Sequence, residues 1–218
     1  MKKIAILSLI LLLSSYWAHS QDFKYEVYGG VSLPSLSYPE KGEQAKENSA
    51  KILSGHLGFR TIAPIIISLN DNMLYAGVGL AFSGKGFKTK ELYKGFPNIV
   101  VEGRAWSIDA PARLGYRFCI NDKVAIRAEL GYFVSLGLFG SWTERRGTPT
   151  KTTGDYYSMD NREIYGGHRI DNVISSYLGA VYNRFTAGVC YDHGIPNRAG
   201  RPENAKSRNI QISVGYLF

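Results

Sequence analysis

The chain has 218 residues, 44% hydrophobic and 20% charged, enough to bury a core as a single domain. Beyond residue 20 no run of ten apolar residues occurs; the longest, 62–67, contains Pro64, which excludes a spanning helix of about 20 apolar residues. A net charge of +8 comes with no nucleic-acid-binding module, and two cysteines, Cys119 and Cys190, are too few for a disulfide framework.

Lys2 and Lys3 precede residues 4–13, which are apolar apart from Ser8 and too short to cross a bilayer as a stable helix. Ala18-His19-Ser20 follows, a small-x-small pattern, so residues 1–20 read as a signal peptide cut between Ser20 and Gln21. The mature domain is then 21–218. Loss of the two leader lysines lowers its net charge to +6.

From there the sequence alternates with a period of two in segments separated by turn residues. Strands are expected at about 23–33, 52–63 and 73–83, the second insecure because Pro64 could extend, bulge or end it. The fourth, near 106–118, sets Trp106, Ile108, Ala110, Ala112, Leu114, Tyr116 and Phe118 against Ser107, Asp109, Pro111, Arg113, Gly115 and Arg117. The fifth, near 124–137, sets Ile126, Leu130 and Val134 against Arg127, Glu129 and Gly131. Strands near 172–182, 184–193 and 210–218 complete the series. Long links, 34–51, 84–105, 140–171 and 194–207, follow the odd strands, and short ones at 120–123 and 183 follow the fourth and sixth. Such alternation of long and short links predicts an all-β fold: an eight-stranded antiparallel up-and-down transmembrane β-barrel, multi-pass in the cell outer membrane, with both termini at the periplasmic rim.

The face opposite the apolar one is rich in Gly and Ser and carries charges of both signs, including Lys24, His56, Arg184 and Asp192. Eight strands leave room only for side chains inside, so these residues are expected to line a filled lumen. A charge network of Glu26, Arg60, Asp109, Arg113, Arg117, Arg127 and Glu129 is expected there, Arg113 and Glu129 being opposite or one diagonal step apart in the fourth hairpin. Aromatic girdles are expected at Tyr116, Phe118, Tyr182, Phe185, Tyr216 and Phe218 on one rim, and at Phe82, Trp106, Phe139, Trp142 and Tyr191 on the other.

Four segments carry a family likeness: Gly79-Leu80-Ala81-Phe82-Ser83-Gly84-Lys85-Gly86, Ile108-Asp109-Ala110-Pro111, Gly131-Tyr132-Phe133 through Leu138-Phe139-Gly140, and Arg184-Phe185-Thr186-Ala187-Gly188 through Tyr191. In these the chain resembles the PorT-like small outer-membrane β-barrel proteins of Bacteroidota. The resemblance spans most of the mature chain and implies fold and location; the family's founding type is tied to protein secretion. The long 140–171 link and several strand arginines depart from the pattern. Tyr216-Leu217-Phe218 looks like the terminal signal, carried by Tyr216 and Phe218, that barrel-assembly machinery recognises.

No metal-ligand spacing, phosphate loop or nucleophile elbow is present, and no cofactor is expected. Asp192-His193, with His168 and Asp171 at the same rim, supplies the residue types of a hydrolase, but neighbours on a strand face opposite sides, so no enzyme activity is expected. The outer links carry a basic bias, Lys85, Lys88, Lys90 and Lys94 in one and Arg198, Arg201, Lys206 and Arg208 near another. Expected partners are outer-membrane lipid and lipopolysaccharide, the barrel-assembly machinery and a surface or periplasmic protein, with no nucleic acid. The expected role is structural or surface interaction without a general pore. Alternatives are an accessory to transport or secretion across the outer membrane, and an outer-membrane enzyme acting on lipid A or peptides.

Overall fold

A computed structural model describes residues 23–37, 49–67, 72–90, 99–146, 150–157, 169–195 and 206–218. The expected signal peptide with its Ser20–Gln21 cut lies outside the described residues, as do Lys94, His168, Arg198 and Arg201. The described elements are β1 (Lys24–Ser37), β2 (Ser49–Ala50), β3 (Ser54–Ile67), β4 (Met73–Lys90), β5 (Ile99–Cys119), β6 (Val124–Arg146), β7 (Thr150–Asp155), β8 (Ile170–Tyr182), β9 (Phe185–Ile195) and β10 (Lys206–Leu217). Eight of them form a closed antiparallel ring, β1-β3-β4-β5-β6-β8-β9-β10, which ends where β10 pairs with β1. β2 and β7 stand outside it, paired to the far ends of β4 and β6. The chain is an all-β, eight-stranded, up-and-down transmembrane β-barrel.

The start of β1, the end of β10 and the turns at 120–123 and 183–184 share one rim, here called the terminal rim. Asn121 makes the first turn by accepting the backbone N–H groups of Lys123 (3.0 Å) and Val124 (2.9 Å) on its side-chain oxygen. Asn183 makes the second with φ at 55°, a conformation that asparagine tolerates better than most residues. Arg184, expected in the lumen, is instead exposed in this turn.

At the opposite, distal rim β4, β5 and β6 run on through residues 90, 99 and 146, so much of the expected links 84–105 and 140–171 is paired strand. The expectation failed because a bilayer imposes alternation on a strand only where one face meets hydrocarbon. Beyond it both faces can be polar, and the period of two fades from the sequence. Pro64 lies inside β3, next to a register shift between Pro64 and Ile66.

The direction of the apolar face fixes what solvent the barrel was made for. Leu130 and Val214 stand 68% and 65% exposed on the outer surface, whereas the neighbouring Glu129 is 3% exposed and points inward. Leu57, Leu80, Leu114, Leu178 and Ile212 extend the same outer belt around the ring. A soluble barrel would reverse this arrangement, since exposing large contiguous apolar area to water is rarely tolerated. Leu130→Arg, at the middle of the belt, is expected to destabilise the vesicle-inserted protein by about 2–4 kcal/mol, read from urea unfolding midpoints. An unchanged midpoint would mean that this face does not contact lipid.

Candidate functional site

Inward-facing positions of the ring meet at the barrel axis and form layers. Nearest the terminal rim an apolar plug contains Ile62, Met73, Tyr75, Ala125, Val181 and Leu217, with Cys119 against it. At the distal rim a second apolar cluster contains Phe87, Val101, Ala105, Trp142, Tyr156 and Tyr157. Tyr156 and Tyr157 follow β7 and fold back over the mouth, the Tyr156 N–H donating to the Gly140 carbonyl at 3.1 Å. The Arg169 guanidinium lies 5.2 Å from the Tyr157 ring centre, and burial pushes the Tyr157 hydroxyl up to about 12.

Between the two plugs lies the charged layer, where three guanidinium groups share two carboxylates. Glu26 and Arg60 are direct cross-strand partners on β1 and β3. The Glu26 carboxylate accepts from Arg60 Nε (2.8 Å) and Nη2 (2.7 Å), from Arg127 Nη1 (2.9 Å) and Nη2 (3.1 Å), and from Thr186 Oγ1 (2.6 Å). Glu129 accepts from Arg60 Nη1 and from the Tyr75 hydroxyl, both at 2.6 Å, with Arg113 Nη1 at 3.5 Å. Tyr177 lies among the cations, its ring centre 5.5 Å from Arg60 and Arg127 and 5.9 Å from Arg113. Both carboxylates are buried with relative exposures of 1% and 3%, so their charges are matched inside the protein rather than by water.

Of the seven residues expected to form one network, five join and two stand apart. Glu26, Arg60, Arg113, Arg127 and Glu129 join in the central layer. Arg113 faces Gly131 across the β5–β6 pair, which puts it one diagonal step from Glu129. Asp109 lies nearer the distal rim, accepting from the Ser83 hydroxyl and from Ser107 Oγ at 3.0 Å, with Lys85 Nζ at 3.4 Å. Arg117 stands directly opposite Arg127 and forms no ion pair among the described residues. Lys85, Tyr75, Tyr177 and Thr186 were missing from the expected set. A signal existed for Tyr75: it pairs with Gly115 and its ring lies against that glycine, as the Tyr28 ring lies against Gly58.

Packing leaves the charged layer little free space. The void bounded by Glu26, Tyr28, Arg60, Arg113, Tyr177 and Gln211 is about 10 Å³, no more than one water requires. Cys190 is buried against Ser175 Oγ (3.1 Å) and Asp192 Oδ1 (3.3 Å), and both cysteines are free thiols. Asp192 points inward and accepts from Gln211 Nε2 at 2.9 Å, whereas His193 lies beside the Tyr191 hydroxyl at 3.5 Å. The two therefore do not orient one another. Among the described residues no group of His, Cys, Asp and Glu could hold a metal ion.

The rims place most of the expected aromatic girdle outward, with Phe118, Tyr182, Phe185 and Phe218 exposed at the terminal rim and Phe82, Phe139 and Tyr191 at the distal one. Trp142 is the correction: it is buried in the distal cluster. On β6, Leu138 is the extra residue of a bulge opposite Trp106 and Ser107. That insertion reverses the alternation, turning Phe139 outward and Trp142 inward.

Glu26→Ala would leave Arg60 and Arg127 without their shared carboxylate. A loss of about 3–5 kcal/mol is expected in guanidinium unfolding of the folded barrel, as for other broken buried pairs; a loss under 1 kcal/mol would show the charges to be hydrated. Gly115→Val would collide with the Tyr75 ring, whose Cζ occupies the space an added Cβ would need. Displacing that ring from Glu129 is expected to cost about 1–3 kcal/mol in the same assay, and wild-type stability would contradict the packing.

No protein-family model matches the sequence, and no curated protein matches it. Among solved structures it is similar to Ail, the attachment invasion locus protein of Yersinia pestis, at 15% identity and a TM-score of 0.41, covering 90% of this chain and 99% of that one. A structure of the same Yersinia protein in complex with the heparin analogue sucrose octasulfate is similar at 14% identity and a TM-score of 0.40, again covering 90% and 99%. Neisserial surface protein A is similar at 16% identity and a TM-score of 0.42, covering 89% of this chain and 97% of that one.

Proposed function

We propose that this chain is an integral outer-membrane protein whose sealed barrel is an anchor for the β-structure projecting from its distal rim, with a structural or surface-interaction role and neither a general pore nor catalysis. The observation that carries the reading is a lumen closed twice by apolar clusters and filled between them by ion-paired side chains, inside a ring whose outer belt is apolar. A conducting barrel needs a hydrated path, and an eight-stranded ring has none to spare once its side chains are packed. The terminal rim faces the periplasm in this proposal. Two tight turns at that rim and strands running on past the other support it, because outer-membrane barrels keep short turns inside and long connections outside. Tyr216, edge-on to both Phe185 (5.3 Å) and Phe218 (5.0 Å), would present an aromatic edge to the assembly machinery.

The test combines conductance with topology. Reconstituted in a planar bilayer, the heat-modifiable folded protein is expected to show no stepwise conductance, and regular channel openings would refute the sealed lumen. In a Cys119→Ser/Cys190→Ser background on intact cells, a membrane-impermeant maleimide is expected to label Thr152→Cys on β7 and to spare Asp122→Cys in the terminal-rim turn. Labelling only the latter would reverse the orientation.

A further inference from the structure

Beyond the distal girdle, β4, β5 and β6 continue as a sheet whose two faces differ in chemistry. Its inward face is the Phe87, Val101 and Trp142 cluster that caps the lumen. Its outward face continues the lipid-facing side of the barrel, and successive rows can be read from the register. Trp106 lies on the girdle, its ring stacked on Phe82 at 4.8 Å and 3°. One row outward is Arg104 between Gly86 and Ser141; the next is Lys88, Glu102 and Thr143; the next is Val100 and Arg145. Lys88, Glu102, Arg104 and Arg145 line one groove of about 170 Å³, whose floor is made by the short side chains of Ser141 and Thr143.

Charge in that groove is unbalanced by two. Glu102 is its single carboxylate, accepting from Arg104 Nε at 2.8 Å with Lys88 Nζ at 3.9 Å. Arg145 forms no ion pair among the described residues. The Arg104 side chain is 64% exposed, so the outer edge of its guanidinium remains open for a second anion.

Spacing along the strands then selects among anions. At about 3.4 Å per residue, Arg104 lies roughly 7 Å beyond Trp106 and Val100, beside Arg145, roughly 20 Å beyond it. After correction for a strand tilt of about 40°, the cations span heights of roughly 5–15 Å above the girdle. An interfacial aromatic ring marks headgroup level. The single phosphate of a glycerophospholipid lies at that level and would meet Arg104 alone, whereas a glycolipid with phosphates on its membrane-proximal sugars and on the core beyond them would meet the whole row.

We propose that the outward groove of β4–β6 binds a multiply phosphorylated glycolipid of the surrounding leaflet, of the lipopolysaccharide class. Arg104 takes the membrane-proximal phosphate, and Lys88 with Arg145 takes phosphate farther out on the sugar core. The site deepens the reading of an outer-membrane anchor and rests on the distal rim lying in the outer leaflet. Clamping such a lipid would hold the projecting sheet upright against the leaflet.

The experiment is native mass spectrometry of the detergent-folded protein incubated with defined lipids. Wild type is expected to retain phosphorylated lipopolysaccharide on the order of tenfold better than either its dephosphorylated form or phosphatidylglycerol. Lys88→Ser/Arg104→Ser/Arg145→Ser is expected to lose that preference. Lys123→Ala/Arg184→Ala, which removes two exposed cations at the opposite rim, is expected to keep it. Equal retention by the triple variant, equal retention of phosphatidylglycerol, or full competition by millimolar inorganic phosphate would each overturn the glycolipid site. Heat-modifiable migration, measured on every sample, keeps this outcome separate from failure of the barrel assignment. A triple variant that folds but no longer retains lipid supports the site, whereas a wild type soluble without detergent refutes the barrel itself.

Discussion

Five charged groups at the axis, Glu26, Glu129, Arg60, Arg113 and Arg127, constrain everything around them, because none can stay ionised away from water without the others. Their geometry requires the ring to close. Arg127 reaches Glu26 across 101 residues of sequence, and Thr186 reaches it across 160. A barrel with one strand out of register would bury guanidinium groups with nothing to accept from them. The network therefore ties the first, second, fourth, fifth and seventh strands of the ring into a single arrangement, and its cost when broken discriminates against slipped pairings.

The layers on either side follow from that centre. Water must be excluded for the charge pairs to be strong, and the apolar plugs around Ile62 and Leu217 at one end and Phe87 and Trp142 at the other exclude it. Space is equally constrained. Tyr28 and Tyr75 fit inside the ring only because glycine faces each of them, and the Tyr75 hydroxyl that this arrangement directs inward completes the set of donors to Glu129. Polar satisfaction and steric fit are thus two consequences of one narrow tube.

Outside the ring the physics changes from burial to solvent matching. Over the apolar belt each strand obeys a strict alternation because lipid admits no polar side chain without cost. Past the girdle that demand ends, and β4, β5 and β6 carry Lys88, Glu102, Arg104 and Arg145 on the face that a few residues earlier carried Ile108 and Trp106. The same continuous strands thereby serve as membrane anchor and as a charged platform, and the distal cap of Tyr156 and Tyr157 packs against the junction from the inside.

By itself the sequence determined the membrane-embedded part: the number of strands, their approximate centres, and that Ile126, Leu130 and Val214 share a face opposite Arg127, Glu129 and Ser213. It could do so because hydrocarbon on one side and a crowded lumen on the other write a period of two into every strand. The pairing of Arg113 with Glu129 was readable for the same reason, since a short turn fixes the register of a single hairpin. Only the tertiary structure decided that Arg127 gives its carboxylate hydrogen bonds to Glu26 while keeping a longer ion pair with Glu129, that Asp109 belongs to a separate layer with Lys85, and that Leu138 bulges so that Trp142 turns inward. Those outcomes depend on barrel closure and on a one-residue insertion, which act between distant strands and leave no local period to read.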